Sequence, residues 1–130
     1  MINLSIITNK GKNIILNRAY KSTPDYNQPS LFQLGTTQPT PLLTSTTIPS
    51  PVTLATGTTK TFVTNYPSIN ESLKEVTIRG YVSSTEANGE SIDGSGLLTA
   101  ESELFSMDKF NDESKSATDE FAFIFVDRIL

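Results

Sequence analysis

The chain has no cysteine, no histidine and no tryptophan. Without cysteine there is no disulfide, no thiolate metal site and no cysteine nucleophile. Without histidine the usual general base and the commonest metal ligand are gone. Together the two absences exclude zinc sites and Ser-His or Cys-His nucleophile pairs. Aromatic residues are scarce at 8%, and hydrophobic residues reach only 36%. No run of 18 apolar residues occurs, so no helix is expected to span a membrane. The net charge of −4 argues against a nucleic-acid partner, which calls for a basic patch. Met1–Thr8 is partly apolar but lacks a positive start and a long apolar stretch, so no signal peptide is expected.

What is abundant is hydroxyl: 18 threonines and 15 serines. Thr is β-branched and suits strands, whereas Ser suits turns and caps. The 130 residues fit one domain spanning residues 1–130. The expected fold is all-β, a single sandwich or jelly-roll-like unit with at most a short helix.

Met1–Thr8 reads as an opening strand and Asn9–Lys12 as a turn with a basic tip. Residues 13–20 read as a short helix, although Ile14-Ile-Leu16 also suits a buried strand. Residues 21–51 hold Pro24, Pro29, Pro39, Pro41, Pro49 and Pro51. Proline removes a backbone donor and breaks helix and ladder alike. This Pro/Thr-rich segment therefore reads as an extended arm or loop, with one short strand at Leu31–Leu34 ending at Gly35. It either packs on its own sandwich or docks on a neighbouring subunit.

Val52–Leu54 and Lys60–Asn65 read as strands about a turn at Gly57. Glu75–Ser83 alternates most clearly: Val76, Ile78 and Val82 share one face with Gly80, and Thr77, Arg79 and Tyr81 the other. Gly80 implies a bulge or a close backbone approach. Glu86–Gly89 reads as a turn, Ser91–Gly96 as a second flexible connection, and residues 108–120 as polar and loop-like. Phe121–Val126 is apolar on both faces, so a strand buried on both sides is expected there.

The carboxylates sit in polar segments, where solvated surface is the plain reading. Glu86, Asn88, Glu90 and Asp93 form a weak calcium candidate around a turn, without EF-hand spacing. Tyr20, Tyr26, Tyr66 and Tyr81 are candidates for a sugar-stacking platform, or plain interface residues. No catalytic, cofactor-binding or metal residue is assigned, and no cofactor is expected.

Several motifs resemble small virion proteins of tailed bacteriophages. These are Asn9-Lys-Gly-Lys-Asn13, Asn17-Arg-Ala-Tyr20, Pro24-Asp-Tyr26 and Gly35-Thr-Thr-Gln-Pro-Thr40. Later come Glu86-Ala-Asn-Gly89, Leu104-Phe-Ser106, Phe110, Lys115, Asp119-Glu120 and the apolar closing strand. The chain departs from the pattern at Ile92–Leu98, and at Met107, where an arginine is usual. The resemblance implies a non-enzymatic structural role in the virion, most directly a tail or baseplate component that helps attach tail fibres. Its alternative is a capsid decoration (cement) protein on the head shell. A carbohydrate- or calcium-binding adhesion module is a further alternative. It also implies other virion proteins as partners and a homo-oligomer such as a trimer, with neither nucleic acid nor membrane.

Overall fold

The computed structural model describes residues 5–129, so half of the opening Met1–Thr8 strand reading, residues 1–4, lies outside the described residues, and Ile6–Ile7 of the other half form a strand. The fold is sandwich-like, with two antiparallel sheets and one helix. The strands are β1 (Ile6–Ile7), β2 (Leu31–Gly35), β3 (Lys60–Thr61), β4 (Ser68–Asn70), β5 (Glu75–Val82), β6 (Ser91–Leu98), β7 (Leu104–Ser114) and β8 (Phe121–Arg128). One sheet has the order β1-β7-β6-β2-β3 and the other β4-β5-β8. The core between them is built from Phe32, Leu34, Ile78, Val82, Leu97 and Phe125 with their neighbours.

Helix α1 (Asn9–Tyr20) starts earlier than expected, so the Asn9–Lys12 turn is corrected to its first turn. Thr8 is the reason. Its hydroxyl accepts the Gly11 N–H at 3.0 Å, as an N-cap does, and donates to the Leu104 carbonyl at 2.7 Å. Gly11 is present for contact rather than for turning. A Cβ there would lie 2.1 Å from the Phe105 carbonyl oxygen.

Ser91–Gly96 is corrected from a flexible connection to most of β6, the central and most buried strand. Its small residues make room for the arm. A Cβ on Gly94 would meet Gln38, and one on Gly96 would meet Ile48. Ile48 joins Leu98, Leu104 and Met107 in a second apolar cluster under the arm. The polar stretch after Met107 is likewise a strand as far as Ser114, not a loop, because it continues the ladder with β6. In the Val52–Asn65 region only Lys60–Thr61 forms a strand, while Leu54 and Gly57 make an isolated bridge.

β5 follows its alternation, with Ile78, Gly80 and Val82 buried. Gly80 marks a close approach, not a bulge. Its register with β8 is unbroken, and an added Cβ would lie 3.0 Å from the Phe32 ring. β8 departs from expectation. Only Phe125, Val126 and Asp127 are buried, whereas Ala122 is exposed and Phe121, Phe123 and Ile124 are half-buried. The strand lies at the edge of its sheet, so one end of it opens to solvent.

Candidate interaction surface

The two sheets do not close along one side. β1 pairs with β7 only at Met107 and Ser106, yet β7 runs on to Ser114. β8 pairs with β5 along one edge. Its other edge is met, among the described residues, by Ser5, whose backbone N–H reaches the Val126 carbonyl at 3.1 Å. Beyond Ser5 the facing edges of β7 and β8 leave a groove of about 950 Å³. Phe110, Phe121 and Phe123 line it, with Glu120 at one end and Thr40 and Pro41 of the arm on its rim. The rings hold one another: Phe110 lies 6.0 Å from Phe123, and Phe121 meets Phe123 edge-on at 5.8 Å. Such tilted pairs fix ring positions beyond simple burial.

The arm is fastened at two points. Gln38, 4% exposed, donates its backbone N–H to Asp93 at 3.0 Å, and Lys109 clamps the same carboxylate at 3.1 Å. Ile48, also 4% exposed, is the apolar anchor. Between the anchors Leu42 and Leu43 stand out at 59% and 47% exposed. The Leu43 carbonyl accepts the Asn9 N–H, which sets this tip beside the start of α1. Leu16 and Tyr20, one turn apart on α1, are exposed as well.

Carboxylates beside the groove are perturbed. Burial pushes Asp108 up to about 6; the Lys109 N–H opposes this, and the charge of Asp127 adds to it. Burial also raises Asp127, against the hydrogen bond from Ser5 and the nearby Ser106 hydroxyl. Glu86 shows the reverse balance. Desolvation raises it, but Lys60 and the backbone N–H groups of Ser83 and Ala55 outweigh that and hold it at about 2.

The calcium candidate around the turn is not assembled. Glu86 is committed to Lys60, Asp93 to Gln38 and Lys109, and Asn88 accepts from Lys115. Among the described residues, no group of three or more carboxylate, histidine or cysteine side chains is placed to hold a metal. The tyrosines are spread over different elements. Tyr20 ends α1, Tyr26 stacks under Lys10, Tyr66 precedes a cis proline, and Tyr81 lies on β5 under Lys60. Among the described residues no tyrosine joins an aromatic pair. Two features escaped the sequence reading: the groove, and the aspartate pair beside it. The signal for the pair was Asp127, a carboxylate following six apolar residues in the closing strand.

No protein-family model matches the chain, and neither a curated protein nor a solved structure matches it.

Proposed function

We propose that this chain is a non-enzymatic structural protein of a tailed-bacteriophage particle, seated at the tail or baseplate where fibres attach. The observation that supports it most is the pairing of an open groove with an overhanging apolar tip. Strand edges that lack partners among the described residues are templates for another chain. Leu42 and Leu43 beside them offer side chains that gain by being covered. A module of this kind works as a homo-oligomer among other virion proteins, where symmetry multiplies modest contacts. The resemblance of its turns and closing strand to phage virion modules supports the same reading, and the jelly-roll relationship belongs to it.

The test is quantitative mass spectrometry of purified particles. A few to tens of copies per particle is the expected result. Hundreds would move the chain to the head shell as a cement protein, and its absence from particles would overturn the reading. A companion variant, Leu42→Ser with Leu43→Ser, is expected to keep its melting temperature and fail to enter particles.

A further inference from the structure

A polar cluster sits where β1, β7 and β8 meet, with Ser106 and Asp127 buried and Ser5 and Asp108 half-buried. Ile6 lies opposite Met107 and Ile7 opposite Ser106, so the antiparallel register sets Ser5 opposite Asp108. On its other side Ser5 gives its backbone N–H to Val126 and its hydroxyl to the Asp127 carboxylate. Directly opposed residues share a face, and so do residues two apart on a strand. Ser106, Asp108, Ser5 and Asp127 therefore converge on one face across three adjacent chain segments.

Among the described residues no cation offsets the two carboxylates. Neither aspartate makes an ion pair among the described residues; Lys109 is turned to Asp93, and Arg128 to Glu75. Asp127 is 6% exposed. Ser106, 1% exposed, is directed at the Asp127 carboxyl yet has no hydrogen-bond partner of normal geometry. A buried hydroxyl without a partner, next to two uncompensated carboxylates, is a coordination set short of its cation.

The spacing suits that cation. The backbones of Asp108 and Asp127 flank Ser5, about two strand spacings or roughly 9.6 Å apart. Two carboxylates turned in over Ser5 would close part of that span, and two bonds of about 2.4 Å to a calcium ion would bridge the rest. All four donors are oxygens, which select calcium or magnesium over zinc or copper. An irregular set of two carboxylates and two hydroxyls fits calcium's flexible shell better than the strict octahedron of magnesium.

We propose that Asp108 and Asp127, with the hydroxyls of Ser5 and Ser106, form a calcium site that ties β1 to both sheets. Asp108 lines the groove, which gives the ion its way in and leaves room for water in its shell. The site is independent of the phage reading and stands or falls separately from it.

Equilibrium dialysis of the full chain against radioactive calcium after EDTA treatment tests it. One ion per chain is expected, with Kd of about 10⁻⁴–10⁻³ M. At ten times Kd the melting temperature is expected to rise by about 3–6 °C. Asp108→Asn is expected to raise the melting temperature in EDTA, because it removes a repulsion, and to abolish the calcium response. Asp112→Asn is expected to keep that response. No calcium bound to the wild-type chain at 1–2 orders of magnitude above about 10⁻⁴ M overturns the proposal. So does a calcium shift retained in both Asp108→Asn and Asp127→Asn. If the pair only shares a proton, the chain takes up no calcium at pH 7 although acidification stabilises it, and that lack of uptake overturns the proposal too.

Discussion

Lys60 Nζ lies 2.6 Å from Glu86 Oε1, and the same carboxylate takes the backbone N–H groups of Ala55 and Ser83 at 2.8 and 3.0 Å. One buried side chain thus holds three separate segments: β3, the turn after β5, and the loop after the arm. Removing its charge leaves Lys60 without its partner and weakens both backbone contacts. Glu86→Gln is expected to cost about 2–4 kcal/mol, read as a lower urea midpoint with an unchanged slope. Lys60→Met is expected to cost less, because Lys60 keeps more contact with solvent and the Glu86 carboxylate retains two backbone donors.

The pH dependence follows from two opposite shifts. Glu86 is held at about 2, below the ordinary glutamate value of 4.5, so the folded chain binds its proton less readily than the unfolded one. The stability it supplies is present above about pH 4.5 and is lost as pH falls toward 2. Asp108 is raised to about 6 from 3.8, so the folded chain holds this proton more tightly. Its contribution is complete below about pH 4 and is lost as pH rises to 6. In EDTA, stability is therefore expected to peak at about pH 4 and to fall by roughly 1–2 kcal/mol toward pH 7, after discounting for partial exposure. Asp108→Asn is expected to flatten the upper limb. Urea midpoints measured at half-unit pH intervals in EDTA check both limbs.

Three glycines grade the closeness of packing. Gly11 faces backbone, the Phe105 carbonyl oxygen, at 2.1 Å from a would-be Cβ. Gly94 faces the Gln38 Cγ at 2.3 Å, and Gly96 the Ile48 Cδ1 at 2.6 Å. Backbone cannot step aside, a buried anchoring side chain yields at some cost, and the end of an isoleucine yields most easily. Gly11→Ala is expected to cost the most, about 3 kcal/mol or more, and Gly96→Ala the least, about 1 kcal/mol. Gly94→Ala falls between and is expected to loosen the arm, read as faster proteolysis within residues 39–47.

These glycines also show where sequence reasoning reached and where it stopped. β5 was legible because Val76, Ile78 and Val82 keep a strict two-residue period, and β2 because a short apolar run meets Gly35. β6 was not legible. Gly94, Ser95 and Gly96 carry the marks of a flexible link, and only the arm lying across them explains their size. The first turn of α1 was hidden for the same reason, since Gly11 answers to Phe105, about ninety residues away in the chain. The proline richness of residues 21–51 was visible as composition, but the contacts of Gln38 and Ile48 were not, because nothing local marks them. The groove needs β7 and β8 to stop short of each other, a relation between strands that no single stretch encodes.

The closing strand yields the last prediction. Phe121, Phe123 and Phe125 share one face and look equivalent in sequence, yet β8 passes from groove to core along its length. Phe125 is 4% exposed and packs 6.0 Å from Phe32, which is fully buried and roofed by Gly80. Phe123 lies half-buried in the groove wall between Phe110 and Phe121. Truncation at the core end leaves a cavity that neighbours cannot fill, whereas truncation in the groove admits water. Phe32→Ala and Phe125→Ala are expected to cost about 3–5 kcal/mol each, and Phe123→Ala about 1–2 kcal/mol. If the groove receives another chain in the particle, Phe123→Ala has a second effect. It weakens assembly by more than its small loss of stability accounts for, which comparison of urea midpoints with incorporation into particles separates.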